Sequence, residues 1–194
     1  RGRNTYHFFE PALAVGVLER LLLESALRNA LPRQELTLHY QPQIDLRTGR
    51  MVAVEALARW QHPELGMVPP SQFIPLAEEI GLIVDLGMFV LERTARQLSI
   101  WQRTVRAQEG LFASVNVSSK QLLRQDLIGD LRTVLARSSL MRGTLKLELT
   151  ESMLAVDVDQ IIAKMNAIKA RGVSFSLDDF GTGYSSLSYL KHLP

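Results

Sequence analysis

Oxygen-bearing side chains recur at the ends of four short apolar segments of this 194-residue chain. They are Glu55, Asn116, Glu148 and Asp178, and Asp179 follows directly after the last of them. Since the chain has no cysteine and no suitably spaced histidine, this donor set favours Mg²⁺, Mn²⁺ or Ca²⁺ over Zn²⁺. If three of these carboxylates lay close together in one site, they would repel one another strongly unless a cation neutralised them. Two neighbouring cations of this kind are the usual apparatus of phosphoester hydrolysis.

Other roles are open for each of these residues taken alone. Any one could be a solvated polar residue, or a carboxylate paired with Lys146 or Arg59, since most polar strand residues do no chemistry. Four such residues in register at strand ends favour a shared site instead. The loop 178–187, rich in glycine, serine and threonine, could cradle a phosphate with backbone N–H groups, or could be an ordinary turn.

Apolar periodicity predicts the elements that hold these side chains. A period of two over Glu35–Leu46 and again over Met51–Arg59 predicts two strands, and the four residues between them are too few for a parallel crossover. These strands should therefore form an antiparallel hairpin. Further strands are predicted over 112–117, 145–149 and 173–177. Helices are predicted over 11–31, 72–79, 84–102, from a cap at Ser118 or Ser119, over 157–171 closed by Gly172, and over 185–191.

This alternation of strands and helices predicts an α/β fold with a largely parallel sheet. On each strand the polar residues occupy one face, and in a strand–helix barrel active sites form at the carboxyl ends of the strands. Five strands are predicted where a closed barrel needs eight. We therefore expect the native chain to continue past Pro194 with about three more strand–helix units.

Composition excludes several classes of protein. With 46% hydrophobic and 22% charged residues, the chain is neither disordered nor of low complexity, and one domain of ordinary size is the default. A net charge of +2 without a basic stripe argues against a nucleic-acid polymer as partner. The longest apolar stretch, 81–91, is too short to span a membrane and is interrupted by Asp85. The absence of cysteine fits a reducing compartment.

The segment Glu55-Ala-Leu-Ala-Arg-Trp60 resembles the signature of EAL domains, bacterial phosphodiesterases of cyclic di-GMP. Five further segments agree with that family in order and spacing, so that the resemblance covers about residues 35 to 194. They are Tyr40-Gln-Pro-Gln-Ile44, Phe73-Ile-Pro-Leu-Ala-Glu78, Asn116-Val-Ser118, Leu147-Glu-Leu-Thr-Glu-Ser152 and Asp178-Asp-Phe-Gly-Thr-Gly-Tyr-Ser-Ser-Leu187.

The resemblance implies a modified TIM (β/α)8-type barrel with an antiparallel first strand, incomplete in this chain. It implies a first metal ion held by Glu55, Asn116, Glu148 and Asp178 and a second served by Asp179, with Glu55, Asp178 and Asp179 catalytic. It also implies substrate contacts and a residue that steadies the loop after Asp179. The substrate contacts would be Gln41, Glu55, Leu57 and Arg59, and the loop residue would be Glu151.

By the same resemblance, the activity would be hydrolysis of cyclic di-GMP to linear pGpG with two Mg²⁺ or Mn²⁺ ions, while Ca²⁺ would bind and inhibit. The alternative is a receptor module that binds the nucleotide without cleaving it. A lysine, a glutamate and a glutamine that complete the family's site would fall beyond Pro194, and Lys191 is not that lysine. An enolase-type lyase is disfavoured by the Glu-Ala-Leu and Asp-Asp-Phe-Gly segments.

Residues Arg1–Phe9 resemble the closing segment of a GGDEF (diguanylate cyclase) domain. The implied organisation is a GGDEF tail over 1–9, a linker helix over 10–32 and the N-terminal two-thirds of an EAL domain over 33–194. We then expect upstream GGDEF and sensory modules in the same chain. We also expect a homodimer and a location in the cytoplasm or at the cytoplasmic face of a membrane-anchored parent protein.

Overall fold

The computed structural model describes residues 11–104, 110–124, 126–150, 153, 158–178 and 193–194. The predicted GGDEF-like tail over 1–9 and the predicted helix over 185–191 lie outside these residues, as do Glu151 and Asp179. The elements in chain order are α1 Pro11–Ala30, β1 Leu36–Ile44, β2 Met51–His62, β3 Gly66–Val68, α2 Pro70–Ile80, α3 Ile83–Thr104, β4 Phe112–Asn116, α4 Ser119–Leu123, α5 Leu127–Ser138, β5 Leu145–Thr150, α6 Val158–Lys169 and β6 Ser174–Asp178.

One sheet runs through the described part of the chain in the order β1-β2-β4-β5-β6, with β3 paired to β2. Strands β2, β4, β5 and β6 are parallel to one another, and β1 runs antiparallel to β2. A short turn makes that reversal possible: the carboxylate of Asp45 accepts hydrogen bonds from the backbone N–H groups of Arg47 and Thr48, both at 2.8 Å. The hairpin and the mixed α/β fold predicted from the sequence are therefore confirmed.

Two elements differ from the sequence prediction. Six strands are described rather than five, because β2 continues to His62 and turns back as β3, a strand too short to carry a periodic pattern. The single helix predicted between β4 and β5 is in fact two. The second, α5, buries Leu127, Leu131 and Val134 on one face.

Apolar side chains on the helix-facing side of the sheet form the main core. Leu145, Leu147 and Leu149 are at most 1% exposed, and they pack in the same cluster as Trp60 and Phe73. Fully burying one such side chain stabilises the fold by about 2 kcal/mol. This packing fixes the position and orientation of each strand. It therefore also fixes where the side chains on the opposite face of the sheet lie.

No helix among the described residues is long and apolar enough to cross a lipid bilayer. Helix α1 lies against α2 and buries Leu27 and Ala30 in the main core.

Candidate active site

Over residues 54–60, strand β2 separates its residues between two faces. Val54, Ala56 and Trp60 are buried toward the helices, whereas Glu55, Leu57 and Arg59 are half-buried on the other face. On β5 the alternation is complete, since every second residue from Leu145 is buried and the residues between are half-buried. The side chains predicted to do chemistry therefore lie on the face of the sheet that the helices do not cover.

The strand register sets these donors at different positions along their strands. Moving from β2 to β4 the donor shifts two residues forward, from β4 to β5 it stays level, and from β5 to β6 it shifts two forward again. The Cα pairs that define this stagger are Glu55 with Ser114, Asn116 with Glu148, and Thr150 with Asp178.

The stagger brings the donors to one level of a barrel. From Glu55 to Asp178 the donor position advances by four residues, which is about 13 Å along the strands. The same two residues are three strand spacings apart, which is about 14 Å across the sheet. The line through the donors is thus inclined by about 40° to the perpendicular of the strands. Barrel strands tilt from the barrel axis by about 35–45°, so a set with this inclination lies in a plane across the axis. Four donors far apart in sequence therefore face one mouth.

Two hydrogen bonds join neighbouring strands within this set. The amide Nδ2 of Asn116 donates to Oε1 of Glu55 at 2.8 Å, and the hydroxyl of Ser176 donates to Oε1 of Glu148 at 3.3 Å. Beneath them, Ser114 is fully buried; its hydroxyl approaches Glu148 but makes no hydrogen bond of ordinary distance and angle. These serines lie two residues before predicted donors on the same face, a spacing that could have flagged them in the sequence.

The predicted alternative, a carboxylate paired with Lys146 or Arg59, is not formed by Glu55 or Glu148 among the described residues. Lys146 places its Nζ 4.0 Å from the centroid of the Phe112 ring, and Arg59 donates from Nη1 to the carbonyl of Ala58 at 2.9 Å. None of the ion pairs among described residues links either cation to Glu55 or Glu148. Among the described residues, Lys146 and Arg59 therefore do not neutralise Glu55 or Glu148.

Burial raises the pKa of Glu148, and the nearby charges of Glu55 and Asp178 raise it further, although Ser114 and Ser176 oppose the shift. Because neighbouring negative charges destabilise its ionised form, a bound cation would stabilise the Glu148 carboxylate. Within the described ranges no three acidic, histidine or cysteine side chains form a complete metal-binding group by themselves. The donor chemistry, carboxylate with amide oxygen, nevertheless fits a hard divalent cation.

The raised pKa of Glu148 predicts how stability depends on pH when metal is removed. The folded state takes up this proton more readily than the unfolded chain, whose glutamate titrates near 4.5. Stability in EDTA should therefore fall as pH rises from about that value through the raised pKa of the folded state. Glu148→Gln should flatten this dependence and raise the melting temperature at neutral pH, as measured by thermal denaturation across pH. Glu64→Gln, on an exposed turn, is the matched control, and a lower melting temperature for Glu148→Gln would contradict the expectation.

The residues implied to contact a nucleotide lie beside the same mouth. Gln41 on β1 is the Cα partner of Glu55 in the antiparallel ladder. Leu57 and Arg59 continue the face of Glu55 toward the carboxyl end of β2, and both line a cleft of about 480 Å³ together with Asn116 and Ser118. A cleft of this size beside convergent polar groups suits a small organic ligand.

Comparison with known proteins identifies relatives of this chain. The EAL domain model matches residues 24–194. Over its whole length the chain is 45% identical to the bifunctional diguanylate cyclase/cyclic di-GMP phosphodiesterase MucR and 42% identical to the cyclic di-GMP phosphodiesterase NbdA, both of Pseudomonas aeruginosa. It spans 28% and 24% of those proteins, respectively.

A solved structure agrees with the sequence comparison. The structure named PaMucR phosphodiesterase, c-di-GMP complex, superimposes with a TM-score of 0.84 at 45% identity, covering 89% of this chain and 69% of that one. Sequence, strand order and donor placement thus lead to one conclusion. The chain belongs to the EAL domain family, with an incomplete TIM-barrel-like fold.

Proposed function

We propose that this chain carries the N-terminal two-thirds, residues 33–194, of a domain that hydrolyses cyclic di-GMP to linear pGpG. The observation that carries the proposal is the staggered set of oxygen donors at one level of the sheet, with Arg59 on the same face. The names of MucR and NbdA, which are phosphodiesterases of this dinucleotide, support the same reaction.

Divalent cations would be held by the donors already described. Glu55, Asn116, Glu148 and Asp178 would hold a first Mg²⁺ or Mn²⁺, and Asp179 would serve a second. When bound, such ions lower the pKa of a water nucleophile and stabilise charge on the phosphoryl and leaving oxygens. Ca²⁺ would bind but inhibit, because it is larger and takes more ligands at longer distances than the site is built for.

The protein's own groups hold and orient the dinucleotide. The planar guanidinium of Arg59 suits two phosphate oxygens at once, and its present bond to a backbone carbonyl leaves further N–H donors for them. Gln41 offers an amide across the ladder from Glu55, and Leu57 supplies an apolar wall of the cleft beside Arg59. Glu151, just after β5, would steady the loop that follows Asp179.

Turnover by the complete protein that contains this chain tests the proposal directly. Cyclic di-GMP is incubated with Mg²⁺, Mn²⁺ or EDTA, and the products are separated chromatographically. We expect pGpG with either metal and none in EDTA. Binding of cyclic di-GMP without any turnover would instead favour the receptor alternative. The enzyme is preferred because every donor that the resemblance implies within residues 35–194 is present.

Arg59→Ala is expected to weaken cyclic di-GMP binding about tenfold or more while leaving Mn²⁺ binding nearly unchanged. The reason is that Arg59 holds a phosphate rather than a cation, and losing one charged hydrogen-bonding partner costs on the order of 1.5–3 kcal/mol. Calorimetric titration with each ligand separately measures both effects. Arg50→Ala, at the far end of β2, is the matched control. A metal-binding defect with unchanged nucleotide affinity would mean that Arg59 positions Glu55 instead.

We propose further that α1 belongs to a linker helix over 10–32, behind a GGDEF domain that ends in residues 1–9. Val17, Leu18, Leu21 and Leu22 are 56–63% exposed, while Leu27 and Ala30 at the other end of the helix are buried. An exposed apolar face of this extent fits a helix that joins two modules. Upstream sensory modules, a homodimer and a location in the cytoplasm or at its membrane face complete the proposal.

A further inference from the structure

The strand that delivers Asn116 leads directly into a capped helix. Ser118 precedes α4, and its hydroxyl accepts a hydrogen bond from the backbone N–H of Gln121 at 3.3 Å. In return, Oε1 of Gln121 accepts from the backbone N–H of Ser118 at 3.0 Å. This reciprocal capping box fixes the backbone two residues after Asn116.

Gln121 is unusually confined for a polar side chain. It is 5% exposed, and its amide lies against Gly87 in the second turn of α3. A Cβ placed on Gly87 would come within 1.4 Å of Nε2 of Gln121. Glycine inside a helix costs about 1 kcal/mol relative to alanine, so a specific close approach accounts for its presence here. Gly87 therefore leaves the space that Gln121 occupies.

The rest of α4 is anchored from outside. Leu122 is fully buried, Lys120 donates to the carbonyl of Glu78 at 2.5 Å, and Lys164 donates to the carbonyls of Leu123 and Arg124 at 2.5 and 2.7 Å. A helix of five residues has no stability of its own. These contacts hold α4 in place. Because the capping box connects α4 to the end of β4, it restricts the position of that strand end as well.

We propose that Gln121 is a positioning residue for Asn116, and that Gly87 supplies the space for it. The inference rests on the proposed function, in which Asn116 is a metal ligand. On one side, Asn116 is held by its own bond to Glu55 and by the bond from Val117 N–H to the Glu148 carbonyl at 3.0 Å. On the other side, the turn into α4 is fixed by the capping box and by the bonds from the backbone N–H groups of Gln121 and Leu122 to the carbonyl of Ser118, at 3.1 and 3.0 Å. Without the acceptor of Gln121, the half-buried N–H of Ser118 loses its partner and the exit of β4 relaxes.

Two substitutions of Gln121 separate positioning from packing. Methionine fills a similar volume but offers no oxygen to Ser118, whereas glutamate keeps an acceptor oxygen at the helix N-terminus. In the complete protein we expect Gln121→Met to weaken Mn²⁺ binding about tenfold or more, which is the usual effect of losing support around a metal ligand. Gln121→Glu should stay within about threefold of the wild type. Calorimetric Mn²⁺ titration is the readout, with melting temperature recorded in EDTA for each variant.

A pair of glycine substitutions tests the same device from the other helix. Gly87→Ala should displace Gln121 and weaken Mn²⁺ binding about tenfold. Gly129→Ala, inside α5, is the matched control because, beyond its chain neighbours and the backbone of its own helix, no atom of the described residues lies within 4 Å of its added Cβ. That variant should bind Mn²⁺ as the wild type does and melt at the same or a higher temperature.

The possible outcomes separate a failure of the positioning role of Gln121 from a failure of the proposed function. Unchanged Mn²⁺ affinity in Gln121→Met overturns the positioning role while leaving the metal site intact. Equal losses in the methionine and glutamate variants also overturn it, since the acceptor oxygen would then be irrelevant. If the wild-type protein binds neither Mn²⁺ nor cyclic di-GMP, the proposed function itself fails.

Discussion

Replacing Glu55 by glutamine in the complete protein should lower kcat for cyclic di-GMP at least a thousandfold. Glu55 begins the staggered set and accepts the Asn116 amide at 2.8 Å. Glutamine keeps the shape but removes the charge, and the mouth then loses one of its carboxylates. A thousandfold loss corresponds to about 4 kcal/mol in the barrier, which is the scale of stabilisation that a bound cation supplies to a phosphoryl transition state.

Steady-state kinetics over a range of Mn²⁺ concentrations measure this effect. The expected signature is a loss of kcat that high Mn²⁺ restores only in part, together with weaker Mn²⁺ binding by calorimetry. Glu19→Gln, on the exposed side of α1, serves as the control and should behave as the wild type. A Glu55→Gln enzyme with near wild-type kcat in saturating Mn²⁺ would remove Glu55 from the metal site.

Asp179→Asn should reduce kcat at least a hundredfold and change the Kd for cyclic di-GMP far less. Asp178 is the last residue of β6, and its side chain is exposed. The sequence Phe180-Gly181 predicts that the chain leaves strand conformation after Asp179, which would let this carboxylate serve a second ion. Asparagine keeps one oxygen but no charge. The phosphates would still meet the first ion and Arg59, so binding is spared while about 3 kcal/mol of barrier lowering is lost.

Turnover in saturating Mg²⁺ and calorimetric binding of cyclic di-GMP are both needed for this prediction. Asp159→Asn, at the exposed start of α6, is the control. The prediction fails if Asp179→Asn retains near wild-type kcat, because Asp179 would then be only a loop residue. A parallel loss of nucleotide affinity would instead place Asp179 among the phosphate contacts.

Local patterns were sufficient to predict most of the strands. The alternation around Glu55 and Glu148 predicted which face each would occupy, and the burial pattern confirms it. A helix cap at Ser118 or Ser119 was also predicted, because a serine after a strand has a local hydrogen-bonding reason to start a helix, and the structure places the cap at Ser118. The spacing of Leu127, Leu131 and Val134 is typical of a helix and corresponds to α5, so the prediction of a single helix between β4 and β5 is incomplete.

Long-range features could not be predicted in the same way. The stagger between Glu55 and Asp178 depends on which residues pair across strands, and no single strand's periodicity contains that register. The contact of Gly87 with Gln121 joins residues on different helices, and a lone glycine in a helix has several other readings. The role of Glu151 comes from resemblance alone, whereas that of Asp179 also follows from its place directly after Asp178; both stay predictions.

The direction of β1 determines where the preceding chain is attached. Because β1 is antiparallel, the chain enters the sheet at Leu36 opposite Trp60, at the carboxyl end of β2, beyond Glu55 and next to Arg59. In a barrel with only parallel strands, it would enter at the opposite end, a full strand length from the donors. Helix α1 shares its core contacts with Trp60 and Phe73. In the linker role proposed for α1, a pull or twist on this helix would therefore reach the sheet at the rim of the proposed site, without having to travel through the barrel.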